Sequence, residues 1–121
     1  MRTKLLHITL LMVIPFLGLS IYSTAKPHKK NEIIILVHGL ARDAKSMWFY
    51  KKKFEKAGYI VHTIDYKSIN KNITEVTNEV TRQIDSLVKI KCKKIHFVGY
   101  SLGGLQTRSY LTHRKIENLG N

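Results

Sequence analysis

The residue this chain all but lacks is cysteine. Cys92 stands alone, which excludes an internal disulfide, and no histidine sits beside it at ligand spacing, which excludes a zinc site built on it. Lys91, Lys93 and Lys94 suit a reactive thiol, but without a histidine base Cys92 reads as a bystander. Acids are scarce too: 8 Asp and Glu stand against 21 Lys and Arg, for a formal charge of +13 over 121 residues. Such a surface attracts anionic membranes or envelope polymers weakly and without selection. Specific nucleic-acid binding is not indicated, because aromatics are not interleaved with the bases on one face and no recognition helix is marked. The lysines at 51–53, 67, 71, 89, 91, 93 and 94 are scattered as on a solvated surface.

A membrane-length apolar run is missing as well. Ile8–Tyr22 has 15 residues, interrupted by Pro15 and Gly18, against the roughly 20 needed to span a bilayer. It follows Arg2 and Lys4 and ends at Ser23-Thr24-Ala25, the layout of a secretory signal peptide cleaved after Ala25. Lys26, His28, Lys29 and Lys30, directly after it, suit a retained anchor instead. Residues 1–25 are therefore expected to be a signal peptide or an N-terminal membrane anchor, and the product to be periplasmic, secreted or membrane-anchored. Without them the chain keeps 19 bases against 8 acids, a charge of +11.

What remains, residues 26–121, alternates strand and helix. The continuous apolar run Ile33–Val37 suits a central parallel strand covered on both faces. Met47, Tyr50, Phe54 and Ala57 then fall at helical spacing, with Ser46 as the expected N-cap and Gly58 as the stop. Residues 59–64 read as a second strand. Ile73, Val76, Val80, Ile84, Leu87 and Val88 form a second helical stripe. Residues 94–98 read as a third strand, and "LGGLQTRSYLTHR" opens a third helix. The expectation is one α/β domain of three layers, α/β/α, around a parallel sheet. With three strands, both edges of that sheet should be bare.

The chemistry concentrates at Gly99-Tyr100-Ser101-Leu102-Gly103, a G-x-S-x-G pattern where the third strand meets the third helix. A serine on so sharp a turn has its Oγ lifted clear of the sheet edge, and side chains two before and two after it would clash, which explains Gly99 and Gly103. The second element, His38-Gly39-Leu40, ends the first strand at the same edge, where ligands bind in α/β sheets. The N–H groups of Leu40 and Leu102 are the candidate oxyanion donors. His38 is expected to support its loop by hydrogen bonding rather than to act as a base. Trp48, Phe49 and Tyr50 are candidates both for an acyl pocket and for helix packing. A nucleotide-binding domain is disfavoured, since "GYSLGG" has no P-loop lysine and does not match G-x-G-x-x-G. No cofactor or metal is called for.

On these residues the sequence resembles the α/β-hydrolase superfamily, on its lipase and esterase side. "ILVHGLARDAKSMW" resembles the oxyanion-loop strand and helix, "IHFVGYSLGG" the nucleophile elbow, and "LTHRKIENLG" the continuation in bacterial lipases of this group. The likeness spans roughly residues 32–121. It implies Ser101 as nucleophile, Leu40 and Leu102 as oxyanion donors, and hydrolysis of a small-molecule or lipid ester through an acyl-enzyme.

The pattern departs from that family by lacking a base. In the α/β-hydrolase order an acid and then a histidine follow the serine. His113 lies about 18 Å along the helix that Ser101 starts, at about 1.5 Å per residue, and Glu117 comes after it. His62 and His96 sit within strands. Asp65 ends the second strand on the correct side but has no histidine to orient. The chain is thus expected to be the N-terminal part of such a hydrolase, C-terminally truncated and incomplete or inactive alone, or else an inactive binding fragment of the same fold.

Overall fold

The computed structural model describes residues 31–120; the expected signal or anchor, residues 1–25, lies outside them. Strand β1 spans Glu32–Val37, helix α1 Trp48–Lys56, β2 Ile60–Ile64, α2 Ile73–Leu87, β3 Lys94–Gly99 and α3 Leu102–His113. The sheet is wholly parallel in the order β2-β1-β3. The expected α/β layering with a parallel sheet is therefore present among the described residues.

β1 explains the arrangement. All six of its residues are buried. Successive side chains of a strand point to opposite faces, so Ile33, Ile35 and Val37 enter one core while Ile34 and Leu36 enter the other. The first core is closed by Val76, Val80 and Ile84 of α2 and Tyr110 of α3; the second, smaller one is closed by Met47, with Phe54 of α1 and Tyr59 beside it. A strand with a lid on each face must be apolar throughout, which is what the unbroken Ile/Leu/Val run encodes.

The helix ends show where local sequence decides. Asn72 accepts from the Glu75 N–H at 3.0 Å while Glu75 accepts from the Asn72 N–H at 2.9 Å, a reciprocal capping box that starts α2. Gly58 stops α1 at φ 95°, a conformation in which a side chain is strained. The start of the first helical segment is different from the expectation. Asp43, not Ser46, is the cap: its carboxylate accepts from the Ser46 N–H at 3.1 Å and opens a 3₁₀ turn, Ala44–Met47, ahead of α1. Ser46 lies inside that turn and donates its hydroxyl to the Asp43 carbonyl. α1 itself buries no residue fully, and Tyr50 and Phe49 are exposed, so Met47 does the packing that the stripe assigned to a whole helix face.

The bare-edge expectation is also corrected in part. After α3 the chain returns along β3, where the Ile95 N–H donates to the Asn118 carbonyl at 2.9 Å and the Gly120 N–H to the Ile95 carbonyl at 2.7 Å. Leu119 thereby forms a parallel bridge with Ile95 and covers the start of that edge. Asn118 secures the return by donating its side-chain amide to the Cys92 carbonyl at 3.0 Å. The outer edge of β2 has no such cover among the described residues.

Candidate active site

The strand order β2-β1-β3 means that the chain leaves β1 in one direction and later returns on its other side. Between β1 and β3 the loops at the strand C-termini diverge, and that crevice is where an open parallel sheet takes ligands. It brings together two segments far apart in sequence, His38-Gly39-Leu40 and Gly99–Gly103.

The contact is too close for side chains. A Cβ on Gly103 would lie 2.0 Å from the Val37 carbonyl oxygen and 2.5 Å from that of His38. One on Gly99 would lie 2.6 Å from the Gly104 backbone. The first turn of α3 is thus pressed against the end of β1 and folded back on β3. Gly39 is a looser fit, with a Cβ at 3.1 Å from the Tyr100 ring and 3.3 Å from the Ser101 Cβ. Between these contacts Ser101 adopts φ 52°, ψ −120°. That conformation is uncommon for a non-glycine residue and costs of order 1–3 kcal/mol unless the surroundings hold it. Here the two glycine contacts hold it.

Ser101 itself is exposed, and its hydroxyl makes no hydrogen bond to another described residue. The Leu102 N–H is in the first turn of α3, where helix donors have no partner within the helix. Gly103 and Gly104 donate backward to the Tyr100 and Ser101 carbonyls at 2.9 and 2.8 Å. The Leu40 N–H, on the facing loop, has no partner among the described residues either. The site therefore presents one hydroxyl, one donor at a helix N-terminus and a second donor on the facing loop, none of them partnered among the described residues.

Much of what shapes the β1 loop is invisible to motif reading. His38 is fully buried and stacks on Tyr66, with ring centroids 4.1 Å apart and planes 8° from parallel. Its Nδ1–H donates to the Gly39 carbonyl at 2.9 Å, which leaves Nε2 as the acceptor facing the Tyr66 N–H at 3.5 Å. The Tyr66 hydroxyl closes the ring by donating to the His38 carbonyl. Burial pushes that hydroxyl above its ordinary pKa of 10.0, so it remains a donor at neutral pH. Ser68 accepts from the Ala41 N–H at 2.9 Å and fixes Ala41 at φ 54°. Tyr66 and Ser68 lie just past β2, and their only sequence signal is a polar-aromatic pair after a strand.

The remaining titratable candidates are engaged elsewhere. His96 bonds Glu32 at 2.9 Å at the opposite end of the sheet. His113 contacts the Ser109 carbonyl at 2.8 Å, one turn back on α3. His62 pairs across the sheet with Ile35, in the strand interior. Asp65 directly follows β2 on the site side, and its backbone is clasped by Gln83, which accepts from its N–H at 3.1 Å and donates to its carbonyl at 2.7 Å. No described histidine is brought to Ser101. Trp48, Phe49 and Tyr50 are all exposed; Tyr50 lines a shallow cavity with Arg42 and Tyr100, and none of the three lines the groove that contains Ser101. The apolar wall beside Ser101 consists instead of Leu40, Ile73, Leu102 and Leu105. Ile73, which the helical stripe assigned to the core, is 60 % exposed and faces this groove.

The family profile described as "Putative serine esterase (DUF676)" matches residues 27–119, more than three quarters of the chain. No curated protein matches it.

Proposed function

This chain belongs to that serine esterase family, and on that premise we propose that Ser101 is the nucleophile of a carboxylic-ester hydrolase. A serine hydrolase acting on a small-molecule ester is what family membership implies; the residue roles are our reading. The observation that carries it is Ser101 held at φ 52° between β3 and α3, an exposed residue lining a groove with a helix N-terminus behind it. Ser101 Oγ attacks the ester carbonyl carbon and the carbonyl π electrons move to oxygen. The Leu40 and Leu102 N–H groups receive that oxyanion, each worth about 3 kcal/mol of transition-state stabilisation where such a donor is removed. Collapse breaks the C–O bond and expels an alkoxide, which takes up through solvent water the proton that Oγ gave up, and the acyl-serine left behind is hydrolysed by water to the acid and free Ser101. His38, Gly39, Gly99 and Gly103 position the two donor segments and do not touch the reacting atoms. The Leu40–Ile73–Leu105 groove would receive the acyl chain, which extends the substrate class to lipid esters.

A second reading is favoured by one observation: no described residue stands ready to take the proton from Ser101 Oγ. A serine without a base is a weak nucleophile, with only the residual rate that oxyanion stabilisation supplies. On that reading the described domain is an inactive binding module, and turnover by these residues alone is weak or nil. Labelling with a fluorescent alkyl fluorophosphonate separates the two. Labelling that Ser101→Ala abolishes supports the nucleophile. No labelling, in a sample that unfolds cooperatively, supports the binding module. Export, proposed from residues 1–25, is tested apart from this by fractionating cells that express the full chain.

A further inference from the structure

The cavities at the site end of the sheet differ in chemistry. The groove beside Ser101, about 370 Å³, is mostly apolar. Next to it lies a larger cleft of about 740 Å³, between the loop after β1 and the loop after β2. Arg42 and Lys45 line it from the first loop and Lys67 from the second, with Ser68 and Asn70. Ser68 is common to both cavities, so the cleft opens beside the serine groove rather than elsewhere on the surface.

The charges are unbalanced and available. None of Arg42, Lys45 and Lys67 pairs with a described carboxylate, whereas Lys71, at the rim of the apolar groove, is paired with Glu79. Asp43 is the one acid on the cleft wall, and its carboxylate caps the 3₁₀ turn by accepting from the Ser46 N–H. The wall is also fixed. Ser68 accepts from the Ala41 N–H, which ties the two loops together and leaves the Ser68 O–H able to donate. Three cations from two separate loops thus converge on one cleft with no described carboxylate paired to them.

We propose that this cleft is a phosphate-binding subsite, and that the ester taken at Ser101 carries a phosphate group, with its acyl chain in the apolar groove. This rests on the reading of Ser101 as nucleophile. A phosphate monoester brings a charge of about −1.5 to −2 at neutral pH and three strong acceptor oxygens, which suits two or three cations with hydroxyl and amide donors. A neutral ester would leave the three charges solvated and gain nothing from them.

Binding without turnover tests it. In the full chain carrying Ser101→Ala, titration calorimetry compares dihexanoyl phosphatidic acid, dihexanoylglycerol and inorganic phosphate. The phosphatidic acid is expected to bind at least about ten-fold more tightly than the neutral lipid, and Arg42→Gln with Lys67→Gln to remove about ten-fold of that affinity. Lys52→Gln with Lys89→Gln, an equal loss of charge away from the cleft, is expected to change it less than about two-fold, since exposed charges beyond a Debye length are screened. Inorganic phosphate that binds as tightly as the lipid and depends equally on Arg42 and Lys67 would keep the subsite but overturn the ester class. Equal binding of both lipids, or equal losses in the two double variants, would overturn the subsite itself. Failure of the Ser101 reading shows separately, as absent fluorophosphonate labelling.

Discussion

At the N-terminal end of the strands the sheet is stitched shut. His96 bonds Glu32 across β1 and β3, the Lys93 N–H donates to the Asn31 carbonyl at 2.7 Å, and Asn118–Gly120 pairs with Ile95. At the C-terminal end the same strands give way to glycines in contact, an exposed Leu40, and Ala41 and Ser101 both at positive φ. Asn31 at φ 72° is the closed end's own left-handed residue, but asparagine tolerates that region and alanine and serine do so less readily. One end pairs polar groups of β1, β3 and the returning segment; the other leaves an O–H and two N–H groups without a partner among the described residues and is held by steric contact. The open end is where groups remain available for a ligand, and its geometry depends on what side chains are absent.

The largest effect that would break this contrast is at Gly103. Gly103→Ala places a Cβ where the Val37 carbonyl oxygen stands, and is expected to cost about 3 kcal/mol or more by overpacking, read from urea midpoints. A loss below about 1 kcal/mol would mean that α3 shifts freely and that contact does not hold the elbow.

Tyr110 probes the closed half. Its hydroxyl donates to Asp85 at 2.7 Å, beside Arg114. Burial, then that bond and the Asp85 charge, raise its pKa above the ordinary 10.0, with Arg114 opposing. Tyr110→Phe is expected to cost about 1.5 kcal/mol at neutral pH. Because the folded pKa is the higher one, the contribution is complete below pH 10.0 and fades as pH climbs from there toward the folded value. Urea midpoints at pH 8 and pH 11 should therefore converge for the two proteins. An unchanged gap would count against the bond.

Smaller effects sharpen the open end. Ser101→Gly removes the backbone strain and should stabilise the protein by about 1 kcal/mol while ending any labelling, so that stability and chemistry move in opposite directions. A destabilised Ser101→Gly protein would mean that the φ of 52° carries no strain. The least is Gly104→Ala. Its nearest new contact is 3.5 Å, an ordinary one, so helix propensity should win and add about 0.5 kcal/mol in thermal unfolding. Adjacent glycines with opposite responses would show that position, not glycine content, makes the elbow.

The features readable from sequence are those whose cause is local or periodic. Ile33–Val37 had to be central because no solvent face interrupts it, and Gly99 and Gly103 flank Ser101 at the spacing that a tight strand-to-helix turn demands. Asp43 is not legible as the cap because Asp43 and Ser46 are both good caps, and only the backbone shows which carboxylate or hydroxyl faces a free N–H. Ile73 falls outside the core although it lies on the stripe, because a helical period does not tell the first turn, beyond the edge of the core, from the later ones. Tyr66 could not be read as the partner of His38, nor Ser68 as that of Ala41, since nothing local links positions 27 and 28 residues apart.

By itself, then, the sequence determined the alternation of strands and helices, the two-faced burial of β1, and the elbow at Ser101, because hydrophobic period and steric exclusion act between near neighbours. Only the tertiary structure decided which loops meet. The order β2-β1-β3 sets the end of β1 beside Ser101 and brings the loop after β2 alongside, so that lysines and an arginine that look scattered along the chain line one cleft. Charge carries no period, and its convergence is a property of the crossover connections rather than of any stretch of residues.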